Sequence, residues 1–385
     1  MTIKSLSERR SLTSDLMYII NIFFFFRNKK EKVLNVKETL NFLKPRMMSA
    51  VEANSVLLPD IKNADGSEKL IFYQKTAIAD QAFTWHYKRK SRLLPNGGVK
   101  IGTKVLCLDF NQDSFYKKQP DNVYRAKYKR KALIAPFSQY LDGVNFVGYY
   151  DFVFFVAAKI CRIKDNTPIN FEKATVAYPL FNTCYEDEFM KLLDVKAGNL
   201  MDSAYADIKA KQTFLANAGH WFYPNAADIS SLKKHIESRL QIKKTASNRI
   251  YISRACRRKI NNENELICML KKFDFTIIED KPRSVAEQVE IYKNASFIIG
   301  PHGASFTNII WCEPGTHLFE LFSPNYVPDF FLYLTKIMSM QYSAYYNTAD
   351  RNDMTTKERI SDNINVSILA IEKSLRALLQ QSQVQ

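Results

Sequence analysis

Glycine is scarce: 11 residues in 385, against an average usage of roughly 7%. Each glycine cluster is therefore informative. Long apolar runs are missing too. No run reaches the ~20 residues that a spanning helix needs, and the mean hydropathy is −0.26. A polytopic membrane protein is excluded. Cysteine motifs are lacking. Cys107, Cys161, Cys184, Cys256, Cys268 and Cys312 lie far apart, with no Cys-x-x-Cys and no zinc spacing. Buried free thiols in a reducing cytosol are the expectation. Acidic residues are in deficit, 39 against 55 Lys and Arg, which leaves a net charge of +16.

The chain otherwise has a globular composition, 46% hydrophobic and 24% charged. That excludes a disordered or collagen-like chain. The positive surplus is uneven. Residues 88–131 hold 13 Lys and Arg and only three acids, Asp109, Asp113 and Asp121. Such a surface attracts polyanions: nucleic acid, anionic lipid or an anionic substrate. The plain alternative is a solvated basic face. Tyr116, Tyr124 and Tyr128 interleave with the charges, as in some nucleic-acid binders, but no named nucleic-acid motif accompanies them. Near the start, residues 16–26 (LMYIINIFFFF) form an uncharged run of 11 residues. Arg9 and Arg10 precede it, and Arg27, Lys29, Lys30 and Lys32 follow. No small-residue cleavage site follows. The basic flanks point to interfacial docking on an anionic membrane, with packing on the body or a disordered extension as the alternatives.

The spacing predicts four parts: an appendage over 1–66, an α/β domain over 67–225, a second α/β domain over 235–348 and a C-terminal helix over 355–380. In the second domain, strands at 249–253, 275–278, 297–300, 317–322 and 342–346 alternate with helices. Ser284 and Glu287 form a capping box. This alternation predicts a parallel, doubly wound sheet.

After residue 219 the chain has only three glycines, Gly300, Gly303 and Gly315. Phe297-Ile298-Ile299-Gly300-Pro301-His302-Gly303-Ala304 runs from a buried strand into a glycine turn and then a helix. Ligands bind past the carboxyl ends of strands in such sheets, and a helix start favours anions. The segment is neither Gly-x-Gly-x-x-Gly nor a Walker A loop. A tight turn with a cap remains the alternative. His302 is expected to touch ligand rather than its own loop. Glu320 interrupts an apolar strand, where a carboxylate is costly unless paired. It is expected either to accept ribose hydroxyls or to form a salt bridge. Arg254 ends the first strand, with Arg257, Arg258 and Lys259 beyond, placed to neutralise a diphosphate or to remain in a solvated loop.

These residues carry a resemblance. Arg249-Ile250-Tyr251-Ile252-Ser253-Arg254, Asn262-Glu263, Ser284 to Gln288, Ile299 to Ala304 with Thr307-Asn308, and Pro314-Gly315-Thr316 before Phe319-Glu320-Leu321 resemble glycosyltransferase family 61. The resemblance covers about 100 residues in order and spacing. It implies an α/β, GT-B-like fold, with two Rossmann-type domains facing a cleft and a C-terminal helix crossing back. It implies transfer from a nucleotide sugar, UDP-linked by preference, with inversion and no obligatory metal or cofactor. The chain has no Asp-x-Asp motif. By that resemblance Arg254, Arg258, Gly300, His302, Gly303, Ala304 and Asn308 hold the donor diphosphate, and Glu320 holds the ribose. Asp151 stands where the family often has His, and becomes the candidate base beside His302; His86 is a weaker one. The acceptor is expected to be a glycan or lipid-linked sugar, anionic by the charge of 88–131. The family points to surface or capsular polysaccharide synthesis by a cytoplasmic enzyme at the membrane face. The alternatives are a GT-B-fold binding protein that has lost its base, and a basic nucleic-acid binder.

Overall fold

The computed structural model describes residues 31–109, 124–136, 148–218, 220–243, 247–347 and 355–381. The apolar run 16–26, Tyr116 and the basic residues between 110 and 123 lie outside them. No helix among the described residues is long and apolar enough to cross a membrane.

The first half builds a ten-stranded mixed sheet. Its strands are β1 (Lys32–Val33), β2 (Met47–Val51), β3 (Ala82–Tyr87), β4 (Ser91–Leu93), β5 (Val99–Ile101), β6 (Lys104–Val105), β7 (Ala126–Ala135), β8 (Thr175–Tyr178), β9 (Leu200–Asp202) and β10 (Ala206–Ala216). The order is β1-β6-β5-β4-β10-β7-β8-β9, with β3 also on β10 and β2 on β3. The stretch β10-β7-β8-β9 is parallel. The strands β3 and β4 run antiparallel to β10. The expected second Rossmann-type sheet is thus only partly parallel. Short returns such as Pro95–Gly98 connect neighbouring strands without a crossover helix, which permits only antiparallel pairing.

The helix α1 (Tyr149–Phe152) passes through a π-helical turn (Val153–Ala157) into α2 (Ala158–Asn166). Every residue from Phe152 to Ile163 is buried. A helix apolar on all sides must be covered on all sides. It packs beneath Ile134, Val176 and Phe214 of the first sheet, and the same core continues into Ile298, Trp311 and Phe331 of the second half. Its polar members are paired: Lys159 with Asp109 at 2.7 Å and Arg162 with Asp228 at 3.1 Å.

The second sheet has β11 (Asn248–Ile252), β12 (Phe275–Ile278), β13 (Ala295–Pro301), β14 (His317–Phe322) and β15 (Gln341–Tyr346) in the order β12-β11-β13-β14-β15, all parallel. The helices α3 (Glu263–Lys271), α4 (Val285–Lys293) and α5 (Phe330–Ile337) connect them, and the helix expected between β13 and β14 is a 3-10 helix, Ala304–Trp311. The capping box at Ser284 and Glu287 forms. Strand order reverses between β11 and β13, which opens a crevice at their carboxyl ends.

Three expectations need correction. Residues 31–66 are not an appendage. They supply β1 and β2 and a two-stranded ribbon of Asn54–Leu58 with Lys75–Ala79, and Asn63 pairs with the backbone of Tyr346. Three leucines of that stretch, Leu34, Leu43 and Leu58, are buried. Instead of one C-terminal helix there are two, α6 (Thr356–Ser361) and α7 (Ile368–Gln381), split where Ile364 bridges Ile260. The helix α7 does not cross to the first sheet. Its stripe, Ile371 and Leu375, covers Leu266 and Leu270 of α3. Finally, Cys107, Cys161 and Cys312 are buried, but Cys184, Cys256 and Cys268 are exposed.

Candidate active site

A cavity of about 480 Å³ lies at the strand-order switch, between the ends of β11 and β12 and the start of the 3-10 helix. Arg254, Arg257, Ala304, Ser305 and Asn308 line it, joined by Tyr149 from the first half.

Glycine permits two close approaches here. A Cβ on Gly300 would lie 2.8 Å from the carbonyl oxygen of Ile252. A Cβ on Gly303 would lie 1.6 Å from Nη1 of Arg254. The first contact is with backbone, so Gly300 lets two strands approach. Replacing it with Ala should destabilise the fold by about 1–3 kcal/mol through overpacking, measured by urea unfolding. The second contact is with a guanidinium. Gly303 leaves the place that Arg254 occupies while it donates to the carbonyl oxygen of His302 at 3.0 Å.

Arg254, Arg257 and Arg258 crowd together. Burial depresses Arg254, and Arg257 adds repulsion. Burial also pushes Arg258 down to about 10, with Arg254 and Arg257 contributing. Arg258 is buried, its backbone sits at φ +58°, and its Nε has no hydrogen-bond partner. Its guanidinium lies over the Tyr326 ring, 5.4 Å from the centroid. A buried cation on a strained backbone, with an Nε that has no hydrogen bond and two more cations beside it, is costly. Arg254 and Arg257 line the cavity and Arg258 does not; a polyanion beside the first two would offset the repulsion among the three.

His302 lies behind the arginines. Its Nδ1 is 2.5 Å from Oε1 of Glu320, and Tyr342 donates its hydroxyl to Oε2 at 2.6 Å. Burial pushes His302 well below its ordinary value, with Arg258 and Arg254 adding to this. Burial pushes Glu320 well above its own. One proton shared between Nδ1 and Oε1 satisfies both, and the imidazole stays neutral. The rings of Phe322, Tyr326, Phe330 and Phe331 enclose it. Glu320 is 0% exposed with both oxygens engaged, so it cannot receive ribose hydroxyls. It positions His302 instead.

Asn308 is likewise no diphosphate contact. Its Oδ1 accepts from Tyr149 at 2.7 Å and from Trp311 at 3.0 Å, and its Nδ2 donates to Gln288 at 2.9 Å. It ties α1 to the second half. Asn308→Ala strands the buried Trp311 N–H and frees the half-buried Tyr149 and Gln288, and should cost about 1–3 kcal/mol of stability, read as a shift of the urea midpoint.

Asp151 lies in the first turn of α1. Its Oδ2 accepts from the Gly148 N–H at 3.2 Å, so it caps its own helix. Burial raises it to about 6, against bonds from Gly148 and Trp221. His86 stacks on Phe214 at 4.1 Å and bonds Gln212, within the first sheet. Sequence reasoning missed Glu279 and Asp280, which follow β12 and line the cavity. Asp280 accepts from the Ala255 N–H at 2.8 Å. Their position just past a strand beside the switch point was the available signal.

Residues 149–319 match the Glycosyltransferase 61 family. That stretch contains α1, the arginine cluster and the glycine turn, but stops one residue short of Glu320. A beta-1,2-xylosyltransferase from Arabidopsis thaliana is 33% identical over 72 residues, which is 19% of this chain and 14% of that protein. The chain therefore aligns with about a seventh of that relative's length. A crystal structure of the dodecameric iron-containing heptosyltransferase TibC in complex with ADP-D-beta-D-heptose aligns at 11% identity over 85% of this chain and 93% of that one. Its TM-score of 0.31 is too low to carry an argument.

Proposed function

We propose that the chain transfers a sugar from a nucleotide-sugar donor to a hydroxyl of a glycan or lipid-linked acceptor, with inversion. One observation carries this reading: three crowded guanidiniums, one with a buried unpartnered Nε, at the strand-order switch of a parallel sheet. A diphosphate is the anion whose size and charge suit that crevice, and Arg forks bind its oxygens in pairs. The family match supports a sugar as the group attached.

In this reading Arg254 and Arg258 hold the diphosphate and stabilise the charge that develops on it as the sugar leaves. Glu279 and Asp280 take the ribose end in place of Glu320. The neutral His302, fixed by Glu320, lines the far side of the turn. The two halves form a GT-B-like pair around the crevice. A UDP-linked donor and a role in surface polysaccharide assembly rest on the family resemblance.

The acceptor hydroxyl needs a base. His302 is a weak one, because its basicity is depressed. Asp151, held near 6, is ionised at neutral pH and better matched to proton uptake. Asp151→Asn keeps an acceptor for the Gly148 N–H, so the cap survives. It should lower kcat by roughly 100-fold or more. In wild type, kcat/KM should rise with pH through a limb near 6. A variant of unchanged rate removes Asp151 as base.

The reading is tested by incubating the protein with UDP-, GDP-, ADP- and CMP-sugars and scoring nucleotide release, then the anomeric configuration of any product by NMR. Release with inversion is expected. A protein that binds a nucleotide but releases none from any sugar would be a binding protein with a transferase shell.

A further inference from the structure

The outer face of the first sheet carries cations in register across four strands. Lys100 of β5 pairs with Arg92 of β4, Arg92 with Lys209 of β10, and Lys209 with Lys129 of β7. Two residues further along, Lys211 of β10 and Lys131 of β7 project from the same face, because side chains alternate along a strand. Lys90, just ahead of β4, joins this second row. Like charges directly opposite one another are destabilising. Arg92 is held by Asp207 and Lys100 by Glu31. The five other lysines are exposed, and among the described residues they have no ion-pair partner. Together the seven side chains line a groove of about 820 Å³, with no acidic residue and no aromatic ring among its described lining. The fold has no use for this grid of charge, and a polyanion does.

Shape and chemistry narrow the choice of polyanion. Single-stranded nucleic acid binds by stacking its bases on aromatic rings, and this lining has none. A duplex is broader than the row, whose three strand gaps span roughly 14 Å. A bilayer presents a flat plane of headgroups, which a groove does not match. An acidic polysaccharide is a single narrow chain with charges at intervals and hydroxyls between them. Lysine ammoniums, compact charges on flexible stems, suit such a chain. The place of the groove adds to this. Lys209 lies seven residues before Ala216, the end of β10, or roughly 23 Å along the strand. Trp221, five residues beyond that end, bonds Asp151. The groove and Asp151 thus lie toward opposite ends of β10. A chain held in the groove reaches Asp151 only if it is several sugar units long.

We propose that the lysine groove holds an acidic polysaccharide, the acceptor of the transfer, well behind the end that receives the sugar. That this chain is the acceptor rests on the transferase reading. The groove is separate from the cavity at β11 and β13, so the two are tested apart.

The test is calorimetric titration of the full chain with polygalacturonate, with neutral dextran as control, and in parallel with UDP, GDP, ADP and CDP. Polygalacturonate should bind, dextran should not, and binding should weaken with salt. Lys129→Gln, Lys209→Gln and Lys211→Gln together should lower the affinity at least about tenfold. They should also flatten its salt dependence and leave nucleotide binding unchanged. Circular dichroism and the urea midpoint show that the variant is folded. No binding of polygalacturonate, or an unaffected lysine variant, overturns the proposal. So does tighter binding of DNA or of phosphatidylglycerol vesicles at the same salt, which would give the face to another polyanion. Polygalacturonate bound through the lysines, with no nucleotide bound by either protein, would leave a polysaccharide groove and overturn its role as the acceptor site.

Discussion

Gly303→Ala should leave the fold intact and weaken nucleotide diphosphate binding by roughly 100-fold, about 2.7 kcal/mol. The two effects separate because of what the new methyl group meets. Gly303 has φ 178°, extended backbone that alanine adopts freely. Its neighbour is not backbone but the end of a flexible side chain, Nη1 of Arg254, 1.6 Å from the new Cβ. The guanidinium swings away at little cost to stability. The diphosphate then loses charge-assisted bonds worth ~1.5–3 kcal/mol each. Gly300→Ala, three residues earlier, should show the reverse: lost stability from its clash with the Ile252 carbonyl. Unfolding midpoints and calorimetric titration of both variants check the contrast. Wild-type affinity in Gly303→Ala would mean that Arg254 does not bind the donor.

The second large effect has opposite signs in stability and activity. Arg258→Met should stabilise the empty protein and abolish detectable transfer. Arg258 is held near 10 by burial and by its arginine neighbours. A base depressed in the fold is charged in both states at neutral pH, and folding bears the cost of burying that charge. The depression corresponds to at most roughly 3 kcal/mol. Methionine removes it and forfeits a stacking contact with Tyr326 worth ~0.5–1 kcal/mol. A net gain of about 1–2 kcal/mol remains at pH 7. Urea unfolding at pH 7 reads it. A destabilised Arg258→Met would make Arg258 a structural residue rather than a group awaiting an anion.

The second sheet was legible in the sequence because its signals are local. Each strand is a short, largely apolar run, and one helix opens on a capping box, Ser284 with Glu287. All five strands lie within two residues of their expected bounds. The first sheet was less legible. Its pairings join residues far apart in sequence, such as Thr213 with Tyr87, and no local pattern reports them. Residues 31–66 read as an appendage for the same reason: what their leucines pack against is remote in sequence. Within the site, the arginines and the glycine turn could be read from composition and position. Glu320 could not. A carboxylate in an apolar strand calls for a partner, but the sequence does not say whether that partner is ribose or His302. The answer came from the register that sets Gly300 opposite Glu320 and from Tyr342 on the neighbouring strand. Asn308 misled in the same way, because its partner Tyr149 comes from the other half of the molecule.

The central claim is that the arginine cluster at the switch point binds the diphosphate of a nucleotide. Calorimetric titration of wild type with UDP, GDP, ADP and CDP, each against its monophosphate, tests it most directly. One nucleoside diphosphate should bind at least about tenfold tighter than its monophosphate, since the second phosphate adds a charge-assisted contact worth ~1.5–3 kcal/mol. Equal affinity for the two forms, or no binding of any nucleotide by the folded protein, would contradict the account.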